Sequence, residues 1–115
     1  MKDNIFSICL GNNLNNLCGS INDSILIYNY INKLSMNKFY NYKWKKPNIL
    51  FNNSVAESNI LKLIKNNKSD FNKLFIFYSG HGFLNGKLKI FKSKKNKNLV
   101  SLEELIYQIN KYVKN

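Results

Sequence analysis

The chain has 115 residues, 44% hydrophobic and 14% aromatic, enough apolar material for the core of one small domain and too much for wholesale disorder. Its formal net charge of +12 is carried by lysine alone, with no arginine; nucleic-acid or acidic-surface binding is one reading of that charge. The scattered placement of the lysines and the heavy use of Lys, Asn and Ile favour codon bias instead, and the residue best suited to bidentate reading of phosphates and bases is missing.

Cys9 and Cys18 make no CxxC, no second histidine exists, and there are only six acidic residues, so no metal centre and no cofactor are expected. Two free thiols in a reducing compartment are preferred to a disulfide. The apolar stretch Ile5 to Leu10 is too short and wrongly flanked for a signal peptide, and nothing reaches transmembrane length. An intracellular, cytoplasmic protein without a membrane partner is the expectation.

In chain order, Ile5 to Leu10 reads as a buried strand stopped by Gly11, followed by a polar loop, Asn12 to Asn16. Apolar residues at Ile21, Ile25, Tyr28 and Ile31, with Ile27 and Leu34, fall at helical spacing. Ser35 to Pro47 is a polar, aromatic-studded connection, and Asn48 to Phe51 a second short strand. Ser54-Val55-Ala56-Glu57 is a capping box that opens a helix through Ile60, Leu61, Leu63 and Ile64. Lys73 to Tyr78 is a third strand, expected to be buried on both faces. Asn85-Gly86 is a hairpin signal, Lys92 to Asn98 a solvated lysine-rich loop, and Ser101-Leu102-Glu103-Glu104 a second capping box before a helix through Leu105, Ile106, Ile109 and Val113. Alternation of strands and helices predicts one α/β domain over residues 1–115, a sandwich around a mostly parallel sheet with right-handed crossovers.

The third strand ends in Tyr78-Ser79-Gly80-His81-Gly82, with the only histidine of the chain. Histidine titrates near neutrality and is the usual general acid or base. Just past the carboxyl end of a parallel strand it sits where open α/β sheets place their ligands. Flanking glycines would let the backbone turn sharply and leave the imidazole open.

Three segments, taken together, resemble the caspase-like cysteine peptidases, in particular the metacaspase branch. They are Leu17-Cys18-Gly19-Ser20-Ile21-Asn22-Asp23, Ala56 with Asn59-Ile60, and Tyr78 to Gly82 followed by Asn85-Gly86-Lys87-Leu88 and Ser101 to Leu105. The resemblance implies a three-layer caspase-like sandwich and attack of a cysteine thiolate on a peptide carbonyl. His81 would polarise the thiol and protonate the leaving amine, and the Gly82 amide would donate to the oxyanion. Asp23 and Ser79 would border the primary specificity pocket, where Asp23 favours Lys or Arg before the scissile bond. An equally weighted role for Asp23 is a helix-start carboxylate that satisfies backbone amides.

The family's nucleophile, an Asp-x-Cys at the end of the next strand, has no counterpart in these residues. Cys9 reads as a buried small hydrophobe, and Cys18 is set aside as a substitute. The metacaspase calcium-binding acidic cluster is also missing. The expectation is therefore an incomplete peptidase domain of hydrolase lineage, inactive alone, whose Leu74 to Phe77 strand is an open edge that pairs with a second chain or self-associates. Two alternatives stand beside it: a non-catalytic decoy or interaction module that binds an active relative by strand addition, and, more weakly, a basic binder of acidic surfaces.

Overall fold

The structure, a computed structural model, describes residues 3–14, 18–37 and 42–113. The elements follow the order β1 (Asp3–Gly11), α1 (Ser20–Ser35), β2 (Tyr42–Trp44), β3 (Asn48–Phe51), α2 (Glu57–Asn67), β4 (Lys73–Ser79), β5 (Lys87–Phe91), β6 (Leu99–Ser101) and α3 (Leu102–Val113). Single 3₁₀ turns at Asn52–Ser54 and Lys68–Asp70 flank α2.

β1 is the axis of the fold. It pairs in parallel with β2 through Asp3 to Ile5, with β3 through Ile8 to Gly11, and with β4 through Ile5 to Gly11. Strand partners on both edges and helices on both faces explain why β1 is buried from Ile5 to Gly11, as its unbroken apolar run requires. Side chains alternate between the two faces. Phe6, Ile8 and Leu10 join Leu74 and Ile76 of β4, Ile60 and Ile64 of α2, Leu105 and Ile109 of α3, and Ile90 and Val100 of the β5/β6 pair in one apolar cluster. The other face lies against α1, where the Ser24 hydroxyl donates to the Leu10 carbonyl at 2.7 Å. The protein is thus an α/β domain with a parallel sheet between α1 and the α2/α3 pair. The antiparallel β5/β6 pair is bridged to the chain at Ala56 and Gly82. No helix among the described residues is long and apolar enough to cross a membrane.

Four local expectations change. β2 lies inside the stretch read as a connection: Tyr42 and Trp44 alternate around Lys43, and the Trp44 ring meets Phe75 edge-on at 5.9 Å. The first capping box does not form. Val55 takes a tight turn at φ −76° and ψ 82°, with the Ala56 amide donating to the Ser54 carbonyl at 2.9 Å. Ala56 is extended, and Phe91 of β5 donates to the Val55 carbonyl, so α2 starts at Glu57 with Ala56 at its N-cap. The buried Glu57 carboxylate instead meets Lys92 Nζ at 3.2 Å, and Lys92 also meets Glu104 at 3.2 Å. The lysine-rich loop is correspondingly not wholly solvated: Lys97 Nζ stands 4.7 Å over the Phe91 ring. In the second box Ser101 does cap, its hydroxyl accepting from the Glu104 amide at 3.0 Å.

Finally, β4 is not buried on both faces. None of its residues is fully buried, and Phe75 is 38% exposed. The cause is topological: among the described residues β4 has β1 as its only strand partner, so its second edge is uncovered.

Candidate active site

The site is built where β1 and β4 end side by side. Gly11 faces Ser79 in the ladder, and the Asn12 amide extends the pairing to the Ser79 carbonyl at 3.0 Å. Asn12 is fully buried. Its side-chain oxygen accepts from the Leu14 amide at 2.9 Å, and its Nδ2 donates to the Lys89 carbonyl at 2.9 Å. One side chain therefore turns the chain out of β1 and ties that turn to β5. Sequence reasoning placed Asn12 in a polar loop; an Asx turn directly after a strand was the available signal.

α1 enters this corner at close range. A Cβ on Gly11 would lie 2.7 Å from Ser24 Oγ and 3.0 Å from the Ile21 Cα, so glycine is required by proximity. The Asn13 side-chain oxygen accepts from the Ile21 amide at 3.0 Å, satisfying one of the unpaired donors at the helix start. Gly19, at φ 93°, is the N-cap, and its carbonyl accepts from the Asp23 amide at 2.8 Å. Asp23 is thereby held in the first turn of α1, where the helix dipole favours a carboxylate. Its Oδ2 accepts from Ser79 Oγ at 3.4 Å, a long bond between two residues far apart in sequence. The structure thus brings Asp23 and Ser79 together. Leu17, part of the same sequence motif, lies outside the described residues.

Beyond Ser79 the chain passes through Gly80 to His81, which is half-buried, and Gly82, which is exposed. Neither glycine has a positive φ; among the described glycines only Gly19 and Gly86 do. The sharp-turn role expected of Gly80 is replaced by one of space, since a Cβ there would meet the Tyr78 hydroxyl at 2.6 Å. His81 to Phe83 then pair with β5: Lys89 donates to the His81 carbonyl at 3.1 Å and Phe83 to the Lys87 carbonyl at 2.9 Å. Between these bonds Gly82 and Leu88 face each other as a non-hydrogen-bonded pair, which turns the Gly82 amide away from β5. Leu84 to Gly86 close the hairpin, with Gly86 at φ 81° and its amide bonded to the Phe83 carbonyl at 3.0 Å. Asn85-Gly86 is therefore the end of a three-residue loop, the second most common hairpin connection after the two-residue turns. A groove of about 580 Å³ opens beside Gly82, walled by Phe83, Leu88, Leu102 and Ile106.

Both cysteines are free thiols. Cys9 is fully buried beside Phe77 in the β1/β4 ladder, and burial pushes its thiol up to about 11. Cys18 is exposed just ahead of α1. The Tyr78 phenol is also pushed up by burial, partly offset by the hydrogen bond it receives from the Lys89 amide. No group of three or more His, Cys, Asp or Glu side chains that could hold a metal ion occurs among the described residues.

No known protein family, curated protein or solved structure matches this chain.

Proposed function

We propose that this domain is the histidine-bearing part of a caspase-like, metacaspase-type cysteine endopeptidase, and that it does not cleave peptides by itself. The supporting observation is that the carboxyl ends of two adjacent parallel strands carry the Ser79–Asp23 pair, with His81 and the outward-turned Gly82 amide following directly in the chain. In this reading His81 takes the proton from a cysteine thiol and returns it to the leaving amine. The Gly82 N–H donates to the carbonyl oxygen as negative charge develops on it. The Asp23 carboxylate, with Ser79 beside it, receives the Lys or Arg side chain that precedes the scissile bond.

Neither cysteine of the chain serves as nucleophile in this reading. With its thiol pushed up to about 11, Cys9 is almost wholly un-ionised at neutral pH, and the thiolate is the reactive species. Cys18 lies exposed at the entry to α1 and has no role. The thiolate comes from a strand that adds to the second edge of β4, bringing its carboxyl end next to His81.

Peptide cleavage tests the reading. The chain alone should release no fluorophore from peptides with Lys or Arg at the scissile position. Expressed with any in-frame coding sequence beyond the Asn115 codon, it should cleave them, and His81→Ala should lower the rate by roughly 10²–10⁴. Cleavage by the chain alone, or cleavage indifferent to His81→Ala, overturns the proposal. The uncovered β4 edge also favours a second reading, a non-catalytic module that caps an active relative by strand addition. A pull-down that survives His81→Ala but is lost with Phe75→Lys, with no activity in any extended chain, would select it.

A further inference from the structure

We propose that Tyr78 is a positioning residue for His81, its hydroxyl built into the ladder that carries the histidine. This rests on the reading of His81 as the general acid and base. The Tyr78 hydroxyl donates to the His81 carbonyl at 2.5 Å and accepts from the Lys89 amide at 2.8 Å. The same Lys89 amide reaches the His81 carbonyl directly at 3.1 Å. Phenol, carbonyl and amide thus form a closed triangle, with the Lys89 N–H shared between two acceptors. The backbone from which the imidazole projects is tied both to β5 and to a side chain of the strand beneath it.

Two features separate this from ordinary packing. First, β4 meets its apolar needs with Leu74, Phe75, Ile76 and Phe77, whereas position 78 carries a ring with a hydroxyl at its tip. The Tyr78 ring packs against the central cluster, so its base is anchored while its tip reaches the hairpin. Second, the chain leaves room for that tip. A side chain at Gly80 would stand 2.6 Å from the hydroxyl oxygen and 2.9 Å from the ring carbon that bears it. Tyr78, Gly80 and His81 therefore act as one device: the glycine makes the space, the phenol fills it, and the histidine backbone is held. A catalytic base needs that order, because small misplacements of a reacting group cost large factors in rate.

The test uses the fact that His81 is the only histidine, so the imidazole ring protons give one unambiguous set of NMR signals. Tyr78→Phe keeps the ring and removes the hydroxyl. The expected result is an unchanged far-UV spectrum, shifted and broadened His81 ring signals, and Lys89 amide exchange faster by about tenfold. Gly80→Ala pushes the phenol aside with Tyr78 intact and should reproduce the same His81 changes. In the unaltered protein the Lys89 amide should exchange more slowly than that of Phe83, which lacks the phenol. A folded variant with unmoved His81 signals overturns the proposal, as does equal exchange of Lys89 and Phe83. None of these readouts needs catalysis. If His81→Ala leaves cleavage by the extended chain unchanged, the peptidase reading falls while the tie between Tyr78 and His81 is judged on its own.

Discussion

Gly11→Ala tests how the first turn of α1, and with it Asp23, is held against the end of β1. The added methyl would sit 2.7 Å from Ser24 Oγ, 3.0 Å from the Ile21 Cα and 3.0 Å from the Ser20 carbonyl oxygen. Carbon contacts are comfortable near 3.5–4.0 Å, so α1 must retreat by roughly 0.5–1 Å. Two of the three obstacles are backbone atoms and cannot rotate aside. The third, Ser24 Oγ, is engaged with the Leu10 carbonyl at 2.7 Å, and giving up that bond costs about 1 kcal/mol. Overpacking of this kind costs about 1–3 kcal/mol, so the total is about 2–4 kcal/mol, or on the order of 10 °C in Tm for a domain of this size. Urea unfolding followed by circular dichroism should show a lower midpoint with an unchanged m value. Ser24→Ala in the Gly11→Ala background should recover only part of the loss, because Ile21 and Ser20 remain in the way. A cost below about 0.5 kcal/mol, the usual range of an inconsequential substitution, would refute the reasoning. Full rescue by Ser24→Ala would show that the backbone contacts do not set the helix–strand distance.

Three further outcomes are expected. Because Cys9 is buried and its thiol is pushed from 9.0 up to about 11, the neutral form is favoured in the fold; the corresponding stability is intact below pH 9 and lost as pH rises through about 11. That loss is about 2–3 kcal/mol, read by urea midpoints across the range and flattened by Cys9→Ala. At neutral pH a thiol reagent should titrate Cys18 promptly and Cys9 only on unfolding; prompt reaction of both contradicts the burial. Lys92→Met strips the buried Glu57 carboxylate, whose Oε2 already lacks a hydrogen bond, of its cation at 3.2 Å. Lys92 is 41% exposed, so the cost should be about 1–3 kcal/mol, recovered in part by adding Glu57→Gln.

The sequence carried the frame of the fold because the frame is written locally. Ile5 to Leu10 and Leu74 to Phe77 are apolar runs of strand length, and the stripe through Ile60 and Ile64 has helical period. What it concealed depends on distant partners. Ser54-x-x-Glu57 satisfies a capping signature, yet β5 claims the backbone at Val55 and Lys92 claims the carboxylate. β2 is three residues long and paired over only Asp3 to Ile5 of β1, too short for its alternation to stand out from the polar stretch around it. At the site, the place of His81 past a strand end was legible, whereas Asp23 and Ser79 stood out only through the family resemblance. Their meeting at 3.4 Å depends on Gly11 and the Asn13 cap, and the Tyr78 hydroxyl's partners depend on the hairpin. Motif spacing encodes neither.

The β4 edge sets a last expectation about how copies of this chain behave when no added strand covers it. The run Leu74 to Ser79 carries no charge, and the only cation on the strand, Lys73, is at its start, 3.8 Å from Asp3. Natural edges are guarded by inward charges, prolines or bulges, and β4 has no proline and no charge beyond that lysine. The guard here is the whole-molecule charge of +12. With centres one molecular width apart, 32 Å, two such charges repel by about 6 kcal/mol at 0.01 M salt and by less than about 1 kcal/mol at 0.1 M, treating them as screened point charges in water. Pairing two short strands gains only a few kcal/mol of hydrogen bonding after solvent exchange, about 1 kcal/mol per bond. Repulsion therefore wins at low salt and is negligible at high salt. Sedimentation velocity should show a monomer at 0.01 M salt and growing association above 0.1 M, which Phe75→Lys suppresses. Association that ignores salt, or that persists in Phe75→Lys, would mean that copies meet through another surface.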